Sequence, residues 1–329
     1  VQTDFARLLR CPACHRDRTL ALSASADDER EVREGTLTCS ACGTYFRVSR
    51  GVADLLLNPP KHVRLEAAGL VRFAEVMEAQ GWTREKILTL PRLQDGYWYV
   101  QSIMFDQLLD RLDLRPGQTL LDIGSNTCWA TSQFAERGLQ AIALDIATVE
   151  MQGLYTADFY FEAGRSYFER VVGTMTDIPL ASDSLDYVFC CEVLHHNDLA
   201  GLRRTFQEAY RVLKPGGKLL VINETLKYLK DTDGVNVEGV EQFEGYEHAH
   251  WALQYRLNAH RAGFRHSRLL QPVYSPLLHS SQPRPDWRTD PSGWSGHRLR
   301  YNRFTRAIKL IWLNHVAGGV QFSMIATKR

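Results

Sequence analysis

The sequence predicts an α/β protein in which a nucleotide-binding sheet follows a small metal-stapled unit, and three observations carry that expectation. Residues 119–145 read as strand, glycine turn, helix, strand and acid. Four cysteines near the start form two Cys-x2-Cys pairs, Cys11/Cys14 and Cys39/Cys42. At 329 residues, with 44% hydrophobic and 23% charged content, the chain can bury more than one core and has an ordinary globular composition.

The first unit spans residues 1–57. Two cysteine knuckles separated by 24 residues can surround one Zn2+ tetrahedrally, the ion standing in for a core too small to fold alone. Four thiolates leave no open coordination position, so a structural role is expected for this zinc. Ser23 to Gly35 is polar and acidic and reads as a loop or hairpin tip. The stretch after Cys42 alternates like a final strand. These first 57 residues resemble the small zinc-ribbon family that partners or precedes methyltransferases. Asn58-Pro59-Pro60 closes the unit, because two prolines stop any regular element.

Residues 58–115 are helical and amphipathic, broken near Gly81 and Pro91, and form a linker or lid. Their aromatic run Tyr97-Trp98-Tyr99 fits either a cover over a cofactor or plain helix packing. Arg115-Pro116-Gly117 then turns the chain into the first strand.

Leu120, Leu121 and Ile123 suit a parallel strand covered on both faces. Gly124 breaks it, Trp129 to Glu136 reads as a helix ended by Gly138, and a second strand runs from Gln140 to Leu144. Asp145 follows, 23 residues after Asp122, where an acid binds ribose hydroxyls. Alone, this unit suits a nicotinamide dinucleotide as well as S-adenosylmethionine (SAM).

The motifs downstream separate the two. Asp177-Ile-Pro-Leu, Asp183-Ser-Leu-Asp, a strand from Tyr187 to Cys191, and Glu192-Val-Leu-His-His follow in order. A helix through Leu202, Phe206 and Ala209 then leads to Lys214-Pro-Gly-Gly-Lys and a strand from Leu219 to Asn223. Residues 117–224 resemble the class I SAM-dependent methyltransferases, especially the ubiquinone/menaquinone branch. The resemblance implies a seven-stranded sheet with its last strand antiparallel, here occupying 116–329 with substrate-side insertions at 225–250 and 272–314. It also implies that Asp122, Gly124, Ser125 and Asn126 border the methionine part of SAM and that Asp145 and Ile146 meet the ribose and adenine. Thr174 and Met175 would flank the adenine, with Cys191 and Glu192 at the methyl-bearing end. The turn departs from the family's Asp-x-Gly-x-Gly-x-Gly, having Asn126 and Cys128 at its last two glycine positions. Asn tolerates positive φ better than other side chains, so Asn126 can keep the backbone path; Cys128 must find room near the helix start. Thr174 replaces an acid common in the family.

Methyl transfer asks the protein to position a nucleophile, exclude water and, for some acceptors, handle a proton. Candidates for that last task are His196, His195, Glu224 and His248. No Pro-Cys motif is present, which excludes covalent C5-pyrimidine chemistry through such a cysteine. The two insertions are expected to roof the pocket, with Trp251, Trp287 and Trp294 as walls. Arg298 to Lys309 carries four arginines, one lysine and no acid. It reads as a solvated basic helix face, an anionic-substrate pocket or an RNA contact.

Three functions remain in view: methylation of a small molecule such as a secondary metabolite or a sugar- or lipid-linked intermediate, methylation of an RNA base, and a non-catalytic SAM-binding scaffold. A net charge of +1 provides no global field toward nucleic acid or an anionic membrane. With no apolar run near 18 residues and no secretory leader in the sequence, a cytoplasmic protein without a membrane partner is expected.

Overall fold

The computed structural model describes residues 1–93, 96–227, 229, 247–270, 308 and 321–329. The ribbon contributes β1 (Leu20–Asp27), β2 (Val32–Cys39), β3 (Tyr45–Ser49) and β4 (Val52–Asp54). Helices α1 (Lys61–Ala79), α2 (Arg84–Leu88) and α3 (Gly96–Leu109) follow. Next come β5 (Thr119–Ile123), α4 (Trp129–Ala135), β6 (Gln140–Asp145), α5 (Ala157–Glu162) and β7 (Glu169–Val172). The chain continues through β8 (Leu185–Cys191), α6 (Leu199–Val212), β9 (Leu213–Glu224), α7 (Ala252–Ala262), β10 (His266–Leu269) and β11 (Phe322–Thr327).

The expected sheet of seven strands is a sheet of eleven, in the order β1-β2-β3-β4-β7-β6-β5-β8-β9-β11-β10. Seven of these strands lie within residues 119–327, with β11 antiparallel to β9 as the resemblance implied. The other four are the ribbon, which joins because β4 pairs in parallel with β7, Ala53 opposite Val171 and Asp54 opposite Val172. Cys11, Leu20, Leu37 and Phe46 of the ribbon share one apolar core with Leu144, Val171, Ile178 and Leu180. The region read as a loop or hairpin tip, Ser23 to Gly35, is the end of a hairpin, registered from Leu20 opposite Cys39 to Asp27 opposite Val32. Its turn is held by Asp28, whose Oδ1 accepts from the N–H groups of Arg30 and Glu31 at 2.8 and 2.9 Å.

A buried ion pair fastens ribbon to sheet. The Arg170 side chain is 0% exposed; its Nη2 lies 2.5 Å from Glu31 Oε1 and its Nη1 2.9 Å from Asp158 Oδ1. Burial alone would raise the Glu31 carboxyl, but the Arg170 guanidinium and the Val1 ammonium together outweigh it and hold the group at about 2.

Parallel strands β7, β6, β5, β8 and β9 reverse their order at β5/β8, which opens a crevice at the carboxyl ends of those two strands. Gly124 closes β5 at φ 64°, and a Cβ there would lie 2.2 Å from Val193 Cγ2. Only glycine satisfies both the left-handed backbone and that approach. Among the described residues no helix is long and apolar enough to cross a membrane.

Candidate active site

The crevice deepens into a cavity of about 460 Å3. All ten residues proposed from the sequence for cofactor contact line it: Asp122, Gly124, Ser125, Asn126, Asp145, Ile146, Thr174, Met175, Cys191 and Glu192. The turn after β5 is fixed by its own backbone, with Gly124 and Ser125 donating to Leu144 O at 2.8 and 3.1 Å. Asn126 has φ 45° and Cys128 φ 57°, so the two non-glycine positions do adopt the left-handed path. Cys128 is fully buried, with Sγ 3.6 Å from Asn126 O, which answers where its side chain goes.

Asp145 is anchored at both oxygens. Asn126 N donates to Oδ2 at 2.8 Å and Ala147 N to Oδ1 at 3.0 Å. Burial pushes its carboxyl up to about 6, against these donors. Asp122 accepts from Thr131 Oγ1 at 2.6 Å and is pushed by burial to about 7. Glu192, at the far end, is held by Tyr97 Oη and by Gln321 Nε2.

The cavity's roof is expected from the two insertions and, on one reading, from the aromatic run 97–99. Within the described residues it comes from 58–115: α1 supplies Glu66, Leu70 and Phe73, and α3 supplies Tyr97 and Trp98. Trp98 also packs against Trp82 and Trp129 at 6.2 Å between ring centroids, so cover and helix packing are the same contact. Residues 228 and 230–246 and nearly all of 272–314, with Trp287, Trp294 and the arginines of 298–306, lie outside the described residues. Trp251 precedes α7 and is not among the lining residues.

Of the four proton-handling candidates, only His196 lines the cavity. Its Nδ1 lies 2.7 Å from Glu66 Oε1, a partner that sequence reasoning missed because α1 is 130 residues away. Glu224 does not face the cavity. It is fully buried, accepts from the N–H groups of Val193 and Leu194 at 3.1 and 3.0 Å, and meets His195 Nδ1 at 3.1 Å. Those bonds consume its acceptor capacity in pinning the turn Leu194–His196, so it serves as an anchor. His195 is buried behind His196, and His248 is placed by its backbone N–H on His195 O at 2.7 Å. Neither lines the cavity.

The four ribbon cysteines come together. Their sulfur atoms lie within 4.8 Å of one another, with Cys11–Cys42 and Cys14–Cys39 both at 3.7 Å. Sulfurs at about 2.3 Å from a tetrahedral Zn2+ sit about 3.8 Å apart, whereas a disulfide needs about 2.05 Å, so the set fits the ion.

A crevice of this kind at the switch point of a parallel sheet is where open α/β sheets bind ligands, and residues 121–221 match the family described as methyltransferase domain. The chain is 31% identical to malonyl-[acyl-carrier protein] O-methyltransferase 1 of Coxiella burnetii over 177 residues, 52% of this chain and 55% of that one. It is 33% identical over 127 residues to the ubiquinone/menaquinone biosynthesis C-methyltransferase of Cereibacter sphaeroides, 37% of this chain and 49% of that one. The chain thus spans about half the length of these curated relatives. Among solved structures, phosphoethanolamine N-methyltransferase 2 of Haemonchus contortus with S-adenosyl-L-methionine is similar at 18% identity. It has a TM-score of 0.47 and covers 78% of this chain and 60% of that one.

Proposed function

We propose that the protein transfers a methyl group from SAM to a small-molecule acceptor bound beneath α1 and α3. The observation that carries this reading is the charge of the cavity. Asp122, Asp145, Glu192 and Glu66 line it, together with Phe73, Trp82, Tyr97, Trp98 and Trp129, and no arginine or lysine stands among its described lining residues. Carboxylates and aromatic faces favour a cationic ligand. The same lining offers no cation to the phosphates of RNA. A volume of about 460 Å3 is in the range of enclosed small-ligand sites.

When bound, SAM supplies a methyl group already activated on a sulfonium. The chain's residues do the rest. Asp145 offers its free lone pairs to the ribose hydroxyls, and the turn 124–126 brings main chain close to the amino-acid part. Thr174, Met175 and Ile146 border the adenine. Cys191 and Glu192 stand at the methyl-bearing end, with His196 facing the acceptor. In the ribbon, Cys11, Cys14, Cys39 and Cys42 would hold one structural Zn2+.

Calorimetry tests this directly: SAM and S-adenosylhomocysteine should bind and NAD should not, and preference for NAD would overturn the reading. Asp145→Ala should weaken SAM by tenfold or more, since a hydrogen bond to a charged group is worth about 1.5–3 kcal/mol. Asp145→Asn, which keeps one acceptor oxygen, should lose less. Because the free carboxyl titrates at about 6 and the ribose contact favours its ionised form, affinity should strengthen as pH rises through 6 and fall below it. Affinity that ignores pH from 5 to 8 would remove Asp145 from the ribose role. A methyl-donor assay that labelled RNA at one base and ignored small acceptors would overturn the acceptor class.

A further inference from the structure

The turn Leu194–His196 presents two consecutive imidazoles whose ring centroids are 4.5 Å apart, and neither is explained by cofactor contact. Glu247 completes a cluster with them: His195, His196 and Glu247 each offer a ligand atom, all within 4.8 Å of one another. We propose that these three side chains bind a divalent first-row transition metal, separate from the four-cysteine site, at the acceptor end of the cavity.

Four features of the site carry this. First, Glu247 Oε2 is a buried polar atom with no hydrogen-bond partner among the described residues. Orphaned atoms of this kind mark the place of a missing water or ion. Second, His195 is already oriented as metal-bound histidines are: Glu224 engages its Nδ1 at 3.1 Å, which leaves Nε2 to ligate. Third, the charge is unbalanced in favour of a cation. Glu66 lies 2.7 Å from His196, Glu224 is buried against His195, and Glu247 is the third carboxylate around two imidazoles.

Fourth, the geometry is built rather than incidental. Glu247 comes from a segment clamped to the turn, because His248 N donates to His195 O at 2.7 Å and His250 Nε2 bonds Asn197 O at 2.8 Å. Lys227 N reaches back to His250 O at 2.9 Å, fixing the segment from its other side. Two imidazoles and one carboxylate suit zinc, iron, cobalt, nickel or manganese better than magnesium or calcium, which prefer oxygen alone.

Three protein ligands leave positions open for an outside ligand. His196 and Asn197 line the cavity, so the open side faces the acceptor, and the ion would take an oxygen atom of that molecule. The assignment of that oxygen to a methyl acceptor rests on the function proposed above; metal binding itself does not.

The test uses the full chain with its cysteine site filled by zinc, titrated with Co2+ alone and with Mn2+ alone. One further equivalent per chain is expected, and its Co2+ spectrum should lack the thiolate charge-transfer band of a sulfur site. Glu247→Gln, a conservative change at a partly exposed position, should weaken that equivalent at least tenfold. His195→Ala should do the same if its thermal unfolding shows that it remains folded. No second equivalent, or one indifferent to Glu247→Gln, would overturn the site. SAM calorimetry run in parallel separates the two ideas. SAM binding without a second metal removes only this proposal, whereas a second metal without SAM binding removes only the methyl-transfer reading.

Discussion

The Cys39→Ser protein is expected to lose its zinc and, with it, at least tenfold in affinity for SAM. The first loss follows from size. Strands β1 to β4 are short and expose many of their residues, whereas structural zinc supplies about 10–16 kcal/mol of folding free energy to small domains. The second loss follows from the shared core. Two separate cores, which the sequence suggests, would leave the cofactor site intact. Here the segment before the ribbon strands is bonded to the loop that follows Thr174 and Met175: Ala181 N donates to Leu8 O at 2.7 Å and Arg10 N to Pro179 O at 3.1 Å. Unfolding the ribbon releases residues 177–181 and uncovers Val171 and Leu180. Elemental analysis, calorimetry and amide exchange over 169–181 read the three effects. A folded, zinc-free chain with unchanged SAM affinity would show that the two parts are independent.

Arg170→Ala is expected to cost less than the about 3–5 kcal/mol of a charge left wholly unpaired, because Glu31 keeps Arg33 Nη1 at 2.7 Å and the Val1 ammonium at 2.8 Å. Urea unfolding measures that loss directly. Arg170→Met combined with Glu31→Leu removes both charges but takes a partner from Asp158, Arg33 and the Val1 ammonium, so it should recover only part of the stability. Failure of the double variant to recover would shift the explanation to packing. The sign with pH is fixed by Glu31. Its folded value of about 2 lies below the ordinary 4.5, so the pair's contribution is complete above 4.5 and is lost as pH falls toward 2.

The central unit was legible because its signals are local. The apolar run of β5, Gly124, and the acid ending β6 each act within a few residues, and the structure places each where the pattern puts it. Positive φ at Asn126 was readable for the same reason, whereas the left-handed backbone of Cys128 was not anticipated. What stayed hidden is non-local. β7 carries Glu169 and Arg170 in a wholly buried strand, a pattern that reads as surface until the ribbon's Glu31 is known to cover it. Glu66 meets His196 across 130 residues. Glu224 shows the opposite error: its place at a strand end was right, but sequence position does not reveal which backbone donors turn the carboxylate inward. The aromatic run at Tyr97 and Trp98 carried a usable signal for the roof, whereas its partner Phe73 looks like any apolar residue of an amphipathic helix.

The pairing of β4 with β7 also limits how this protein can be joined by others. A sheet that ended at β7 would offer an open row of main-chain donors and acceptors, a template onto which a visiting strand could add. Here that row is taken: Ala53 and Asp54 lie against Val171 and Val172, and Leu55 N donates to Val172 O at 3.0 Å. The chain supplies its own accessory strand in cis, at a local concentration no separate subunit matches. Among the described residues the sheet's ends are β1 and β10, both mostly exposed. Among the described residues, strand addition is therefore left to those ends and not to β7.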